Sequence, residues 1–109
     1  MSDTHIEHVE IDSSGRLIVR PALPPDQDFA FIYRAAMEVS WNPEERSLVA
    51  PPPREWSHFD WFRHLVSAVA QEYGERLVLS AATTWSGVSP ELRDRIQQWS
   101  GGGRTSACS

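Results

Sequence analysis

Residues 57–74 read SHFDWFRHLVSAVAQEYG, and the rest of the chain is organised around this stretch. Both of its ends carry helix signals. Ser57 is a good N-cap, Asp60 completes a shortened capping box, and Gly74 can adopt the left-handed conformation that ends many helices. We therefore predict a helix from Ser57 to Tyr73, with Asp60 placed to suit the positive end of the helix dipole.

The apolar arc of this helix is unusually wide. At about 100° per residue the arc covers roughly 200° of the helical wheel, whereas an ordinary surface helix needs a stripe of only about 100°. The helix is therefore expected to lie deep in the fold or to pack on two partners. The flank of Trp61, Leu65 and Ala68 needs a cover beyond the sheet, which the first or last helix or a second chain could supply. The arc consists of Phe59, Trp61, Phe62, Leu65, Val66, Ala68, Val69 and Tyr73.

The composition excludes several classes of protein. The net charge is −5, and the ten basic residues, all of them arginine, are scattered along the chain, which argues against nucleic-acid binding. One cysteine, Cys108, excludes an internal disulfide and a cysteine-based zinc site. Residues 1–12 lack the pattern of a signal peptide, and no apolar run could span a bilayer. We expect a cytoplasmic protein without a membrane partner.

The first half of the chain predicts two hairpins with a helix between them. Apolar and polar residues alternate over residues 6–21, on both sides of a turn at Asp12–Gly15, which predicts a hairpin. Its first strand is charged and is expected at a sheet edge, whereas its second strand is expected inside the sheet. A short helix is predicted over Asp26–Ala36, although a strand over Phe29–Tyr33 competes with it. Residues 37–50 then form a second hairpin, followed by a stiff connector of three prolines that leads to Trp56, where an apolar residue can staple onto the helix.

The second half predicts one long strand and a last helix. Residues 76–85 alternate as a single central strand, and Ser89-Pro90-Glu91 is a strong helix start. The three glycines at 101–103 should end that helix, leaving residues 101–109 as a mobile tail after one domain of residues 1–100. The predicted fold class is α+β in the order β-β-α-β-β-α-β-α, with a mainly antiparallel sheet of about five strands and helices on one face.

Sequence signals for catalysis are weak. Asp60 and His64 lie four residues apart on the predicted helix, a spacing at which a carboxylate can orient an imidazole, but a solvated polar face is the favoured explanation of the pair. No nucleophile motif and no metal-ligand spacing accompany them, and the triple glycine lacks the residues of a phosphate loop. We expect no cofactor and no metal.

Aromatic residues are the compositional anomaly, since five of the 109 residues are tryptophan. Tryptophan fills cores, and it is also enriched at interfaces and in ligand pockets. The candidate ligand- or partner-binding residues are Tyr33, Trp41, Trp61, His64, Leu65 and Trp85.

Five short stretches carry a family resemblance, at residues 15–21, 31–34, 39–41, 54–56 and 85–92. They include Gly-Arg-Leu-Ile-Val-Arg-Pro and Trp-Ser-Gly-Val-Ser-Pro-Glu-Leu, and they resemble the small integron cassette proteins that are carried on mobile gene cassettes. The resemblance implies an α+β fold of unassigned activity that self-associates as a homodimer or larger oligomer. It supplies no site residues, because the shared features are hairpins, connectors and caps.

Three functions therefore compete. A non-enzymatic binding protein that self-associates or takes a protein partner ranks first. A small-molecule binding protein with an aromatic pocket for an apolar or cationic compound is the alternative. An enzyme that uses Asp60 and His64 ranks last.

Overall fold

A computed structural model describes the backbone of residues 2–52 and 56–108, and the side chains of residues 3–52 and 56–99. The connector Pro53-Arg54-Glu55 lies outside the described residues. Six strands, two α-helices and one turn of 3-10 helix follow one another along the chain. They are β1 (Ser2–Ile11), β2 (Leu17–Pro21), the 3-10 turn (Ile32–Arg34), β3 (Ser40–Asn42), β4 (Ser47–Ala50), α1 (His58–Tyr73), β5 (Glu75–Val78), β6 (Thr84–Ser86) and α2 (Pro90–Cys108).

The strands form a single mixed sheet in the order β3-β4-β2-β1-β5, with β6 also paired to β1. β1 is antiparallel to β2 and parallel to both β5 and β6. The α+β class is therefore confirmed, and both hairpins are present. The sheet has six strands and is mixed, where the sequence predicts about five in a mainly antiparallel arrangement.

The position predicted for β1, at a sheet edge, is wrong. β1 lies between β2 on one side and β5 and β6 on the other. A bulge between Ile6 and His8 changes which residues point inward, so that Thr4 and Ile6 are buried before it and Val9 after it. Its acidic residues face away from α1, because a sheet covered on one side only can place charge on the open face of a central strand.

The single strand predicted over residues 76–85 is interrupted. β5 and β6 pair with successive halves of β1, and a turn separates them. At this interruption the Thr83 hydroxyl donates to the Ile6 carbonyl at 2.7 Å and accepts the Ser80 N–H at 3.0 Å. The side chain of Thr83 thus replaces ladder hydrogen bonds beside the bulge of β1.

The helix predicted over Asp26–Ala36 is wrong too, since the segment contains only the 3-10 turn. Phe29, Ile32 and Ala36 are buried as the helical spacing requires, but successive turns bury them. The carbonyl oxygens of Pro24 and Gln27 accept hydrogen bonds from the Arg46 guanidinium at 2.9 and 2.7 Å. A side chain from the second hairpin therefore satisfies the Gln27 carbonyl, which a helix would have paired internally.

The central helix α1 is confirmed together with both of its caps. Ser57 and Asp60 form a reciprocal capping box, and Gly74 is left-handed with φ 67°. Trp61, Phe62, Leu65, Ala68 and Val69 are buried within this one chain, against the sheet, the 3-10 turn and α2. The wide apolar arc therefore has its cover inside the molecule, and self-association stays a prediction.

The last helix begins as predicted, with the Ser89 hydroxyl accepting the Leu92 N–H at 3.2 Å. Trp99 packs on the first turns of α1, since its ring lies edge-on against Phe59 and Phe62 at centroid distances of 6.4 and 5.9 Å. The backbone of α2 continues past Gly101, where the sequence predicts its end, to Cys108. The mobility of residues 101–109 stays a prediction.

Candidate functional site

Three aromatic rings meet at the start of α1. The Trp56 ring centroid lies 4.8 Å from that of Trp61 and 5.1 Å from that of His64, and the last two are 5.8 Å apart. We call these three residues the aromatic corner.

The capping box explains how the corner forms. Trp56 precedes the N-cap Ser57, and Trp61 occupies the fourth helical position, so their contact is the hydrophobic staple that the sequence predicts for Trp56. His64 follows Trp61 by three residues and therefore lies on the same side of the helix. Local helix chemistry thus fixes all three rings.

The aromatic corner forms one wall of an open cleft of about 720 Å³. Its opposite wall comes from the second hairpin. Because β3 and β4 are antiparallel, the residues just before β3 and those just after β4 meet at the open end of the hairpin. The cleft is lined by Met37, Glu38, Pro51, Pro52, Trp56, Trp61 and His64.

The cleft combines a buried floor with an accessible rim. Trp61 is 9% exposed, whereas Trp56 is 44% and Met37 85% exposed. The one carboxylate among the described lining residues belongs to Glu38, which is exposed. A ligand seated here would cover apolar surface that the folded chain leaves in water.

A second, more polar recess of about 560 Å³ adjoins the corner. Trp56 and His64 line both recesses, so their rings separate the two. The second recess is also lined by Asp60, Arg63, Ser67 and Trp99.

The Asp60 carboxylate accepts hydrogen bonds as part of the helix cap and forms none with His64 among the described residues. Its Oδ2 accepts hydrogen bonds from the Ser57 N–H at 3.1 Å and the Ser57 hydroxyl at 3.2 Å, and its Oδ1 accepts one from Arg63 at 3.0 Å. The Ser57 backbone N–H, with help from Arg63, holds the pKa of Asp60 below its usual value. Within the described residues, no hydrogen bond joins Asp60 to His64. The carboxylate therefore does not orient the imidazole in this arrangement, and an enzyme that uses the pair stays a prediction.

The structure brings together two of the six residues that the sequence nominates. Trp61 and His64 line the cleft. Leu65, which follows His64 in the sequence, is fully buried in the core. Tyr33 is exposed beside Phe31 at 6.2 Å, in the segment around the 3-10 turn.

The other two candidates have structural neighbours of their own. Trp41 in β3 packs edge-on against Phe29 at 5.8 Å. Trp85 in β6 lies beneath the Arg93 guanidinium at 5.2 Å. Neither is among the residues that line the cleft.

Sequence reasoning missed Trp56, Met37, Glu38, Pro51 and Pro52 as site residues. The sequence did contain signals for these residues. Trp56 was predicted to staple onto α1, and the open end of a hairpin predicted over residues 37–50 necessarily brings residues 37–38 close to residues 51–52. These two local predictions name the residues of the cleft, but the packing of α1 beside the second hairpin is needed to bring them together.

A hydroxyl, an imidazole and a carboxylate also lie in a row on β1 and β6. His8 Nδ1 is 2.6 Å from Thr84 Oγ1, and His8 Nε2 is 3.3 Å from Glu10 Oε1. The Thr84 hydroxyl also reaches the Glu7 carbonyl at 3.2 Å, which ties it to the sheet. Neither His8 nor Thr84 lines the cleft or the recess beside it, and we regard the row as a cross-strand link.

Two negative observations concern the described residues alone. They contain no cluster of three or more histidine, cysteine, aspartate or glutamate side chains that could hold a metal ion. Neither helix, over the length that is described, is long and apolar enough to cross a membrane.

Comparison with known proteins identifies the family. The family model of the integron cassette protein Hfx_Cass5 matches residues 4–83, which is well over half of the chain. The chain belongs to the Hfx_Cass5 family of integron cassette proteins. The resemblance drawn from the sequence is thereby confirmed. All residues that line the cleft fall within the part matched by the Hfx_Cass5 model, whereas α2 lies beyond it.

A solved structure of an Hfx_Cass5 integron cassette protein, from the mobile metagenome of the North West Arm sewage outfall, is 43% identical to this chain. The similarity covers 90% of this chain and 95% of that one, with a TM-score of 0.43. No curated protein matches the chain. The name Hfx_Cass5 states no activity, ligand or partner.

Proposed function

We propose that this member of the Hfx_Cass5 family is a non-enzymatic binding protein, and that the cleft at the aromatic corner takes a small organic ligand. The observation that carries the proposal is the open cleft of about 720 Å³ with three aromatic rings on one wall. Ligand pockets commonly fall between about 300 and 1,000 Å³ and are lined mainly by apolar and aromatic groups with few polar ones.

The exposed surface of Trp56 at the rim of the cleft supports a role in binding rather than in core packing alone. A tryptophan that only filled the core would be covered, but Trp56 keeps 44% of its surface exposed while holding Trp61 beneath it. The proline pair opposite is rigid, because its backbone φ angles are fixed. Rigid walls reduce the conformational entropy lost when a ligand binds.

Tryptophan indole signals offer a direct test. In two-dimensional NMR of the full chain, we would titrate two isosteric probes, choline and 3,3-dimethylbutan-1-ol. The indole N–H signals of Trp56 and Trp61 should shift in a saturable manner with at least one probe. Those of Trp41 and Trp85, which pack elsewhere, should stay in place.

Two variants sharpen the test. Trp56→Ala should abolish the shifts, whereas Tyr33→Ala, which removes another exposed aromatic ring outside the cleft, should preserve them. Absence of a saturable shift with either probe would overturn the proposal. So would movement of the Trp56 signal with protein concentration alone, because the cleft would then be a contact between copies of the chain.

A further inference from the structure

We infer that the ligand is an organic cation with an alkylated ammonium group, held between the rings of the aromatic corner and the Glu38 carboxylate. This inference rests on the proposed function and narrows it to one chemical class.

The geometry of the corner suits a cation. The Trp56 ring is inclined by 54° to Trp61 and by 77° to His64, so the rings form walls of different orientation instead of a stack. Aromatic faces carry negative electrostatic potential, and tryptophan attracts cations most strongly. A compact charge seated in the cleft can therefore contact the Trp56 ring, which is 44% exposed.

The charge in and around the cleft is negative and therefore complementary to that of a cation. Glu38 contributes a carboxylate to the lining of the same cleft as the rings. Arg63, which lines the neighbouring recess, is paired with Asp60 at 3.0 Å. The net charge of −5 adds a long-range attraction for cations.

The chain already uses cation–π contacts at other rings. Guanidinium groups lie over Phe31, Phe59 and Trp85, with the shortest distance, 4.4 Å, between Arg95 and Phe59. Among the described residues, no guanidinium lies over Trp56 or Trp61. We assign these two rings to a cation from outside the chain.

The remaining walls favour alkyl groups on that cation. Met37, Pro51 and Pro52 contribute apolar surface, and Glu38 is the only carboxylate among the described lining residues. A primary ammonium needs several acceptors for its N–H groups. A quaternary ammonium needs none, because methyl groups carry its charge to the rings and to the apolar walls.

The test compares the affinities of choline and of its neutral isostere 3,3-dimethylbutan-1-ol for the full chain. Choline should bind at least about fivefold more tightly, as expected for cation–π attraction at a partly exposed site. Glu38→Gln should weaken choline binding about threefold or more and leave the alcohol unchanged. Glu44→Gln, the same change in the exposed turn of the second hairpin, should alter neither affinity by a comparable amount.

The possible outcomes separate the two proposals. Equal affinities for choline and the alcohol would overturn the cation inference and leave the binding function standing. No binding of either probe would overturn both. If Glu38→Gln affected choline no more than Glu44→Gln does, the assignment of Glu38 would be overturned. Both substitutions are at exposed positions, so matching NMR spectra of the free variants would show that the fold is retained.

Discussion

Two carboxylates, Asp12 and Asp60, each stabilise a local turn of the backbone. Asp12 Oδ1 accepts the backbone N–H groups of Ser14 and Arg16, both at 2.9 Å. The Arg16 backbone N–H is the main cause that lowers the pKa of Asp12, and the Ser57 N–H is the main cause for Asp60. A carboxylate whose pKa is lower in the folded than in the unfolded state stabilises the fold only while it is ionised.

We predict that Asp60→Asn makes the free energy of unfolding less dependent on pH in acid. In the parent protein the Asp60 contribution is present above the unfolded pKa, near 3.8, and is lost as the pH falls through the lower folded value. Urea unfolding near neutral pH and at about pH 3 should therefore show a larger loss of stability in the parent than in the variant.

Arg63→Ala is the matched control for this substitution. It removes a secondary cause of the lowered pKa and leaves the Ser57 N–H in place, so most of the acid dependence should remain. The assignment would be wrong if Asp60→Asn lost as much stability in acid as the parent does.

At the scale of elements, the segment between β2 and β3 depends on side chains from elsewhere in the chain. The Tyr73 hydroxyl at the end of α1 accepts the Phe31 N–H at 2.9 Å, and its ring packs on Phe29 at 4.6 Å. Arg46, whose φ of 52° is unusual for a residue other than glycine, binds the carbonyl groups of Pro24 and Gln27. The 3-10 turn is thereby held between α1 and the second hairpin.

We predict that Tyr73→Phe loosens this segment without unfolding the protein. The ring contact with Phe29 is kept, and one hydrogen bond is lost, which should lower the free energy of unfolding by about 0.5–1.5 kcal/mol. Amide exchange measured by NMR should accelerate at Phe31. Tyr33→Phe removes a hydroxyl from an exposed ring and should change neither quantity. Unaltered exchange at Phe31 in Tyr73→Phe would show that the hydroxyl does not hold the segment.

Local chemistry explains which elements the sequence predicts correctly. The caps of α1 lie within the helix's own flanks, so Ser57, Asp60 and Gly74 were sufficient to define it. The segment around the 3-10 turn was mispredicted because the groups that bind its backbone belong to Arg46 and Tyr73, which are far away in sequence. A helical period of apolar residues cannot reveal such partners.

At the scale of the whole molecule, strand position and site assembly were the hardest features to predict. The charges of β1 indicated an exposed side, but they could not distinguish an edge strand from a central strand with one open face. The cleft requires the start of α1 to lie beside the open end of the second hairpin, and tertiary packing determines that juxtaposition. Trp61 and His64 were nominated as members of a mixed aromatic and polar set, and their spacing of three residues on α1 brings them together.

We also predict where the folded domain ends, by comparing a core residue of α2 with the residues after it. Ile96 on α2 is fully buried in the core, so Ile96→Ala should lower the free energy of unfolding by about 2–4 kcal/mol. Deletion of residues 101–109, which offer few apolar groups to bury, should change it by less than about 0.5 kcal/mol. Thermal and urea unfolding would measure both effects. A deletion as damaging as Ile96→Ala would place the tail within the domain.

The central position of β1 has a consequence for the order in which the fold can be completed during synthesis. β1 is made before the other strands of this sheet, and its hairpin partner β2 follows directly, but His8 pairs on its other side with Thr84. Until residues of β6 emerge from the ribosome, that side of the nascent strand carries unpaired N–H and C=O groups, which invite pairing with other chains. The strand of the sheet that is made before the others is therefore enclosed only after the strand that is made after them.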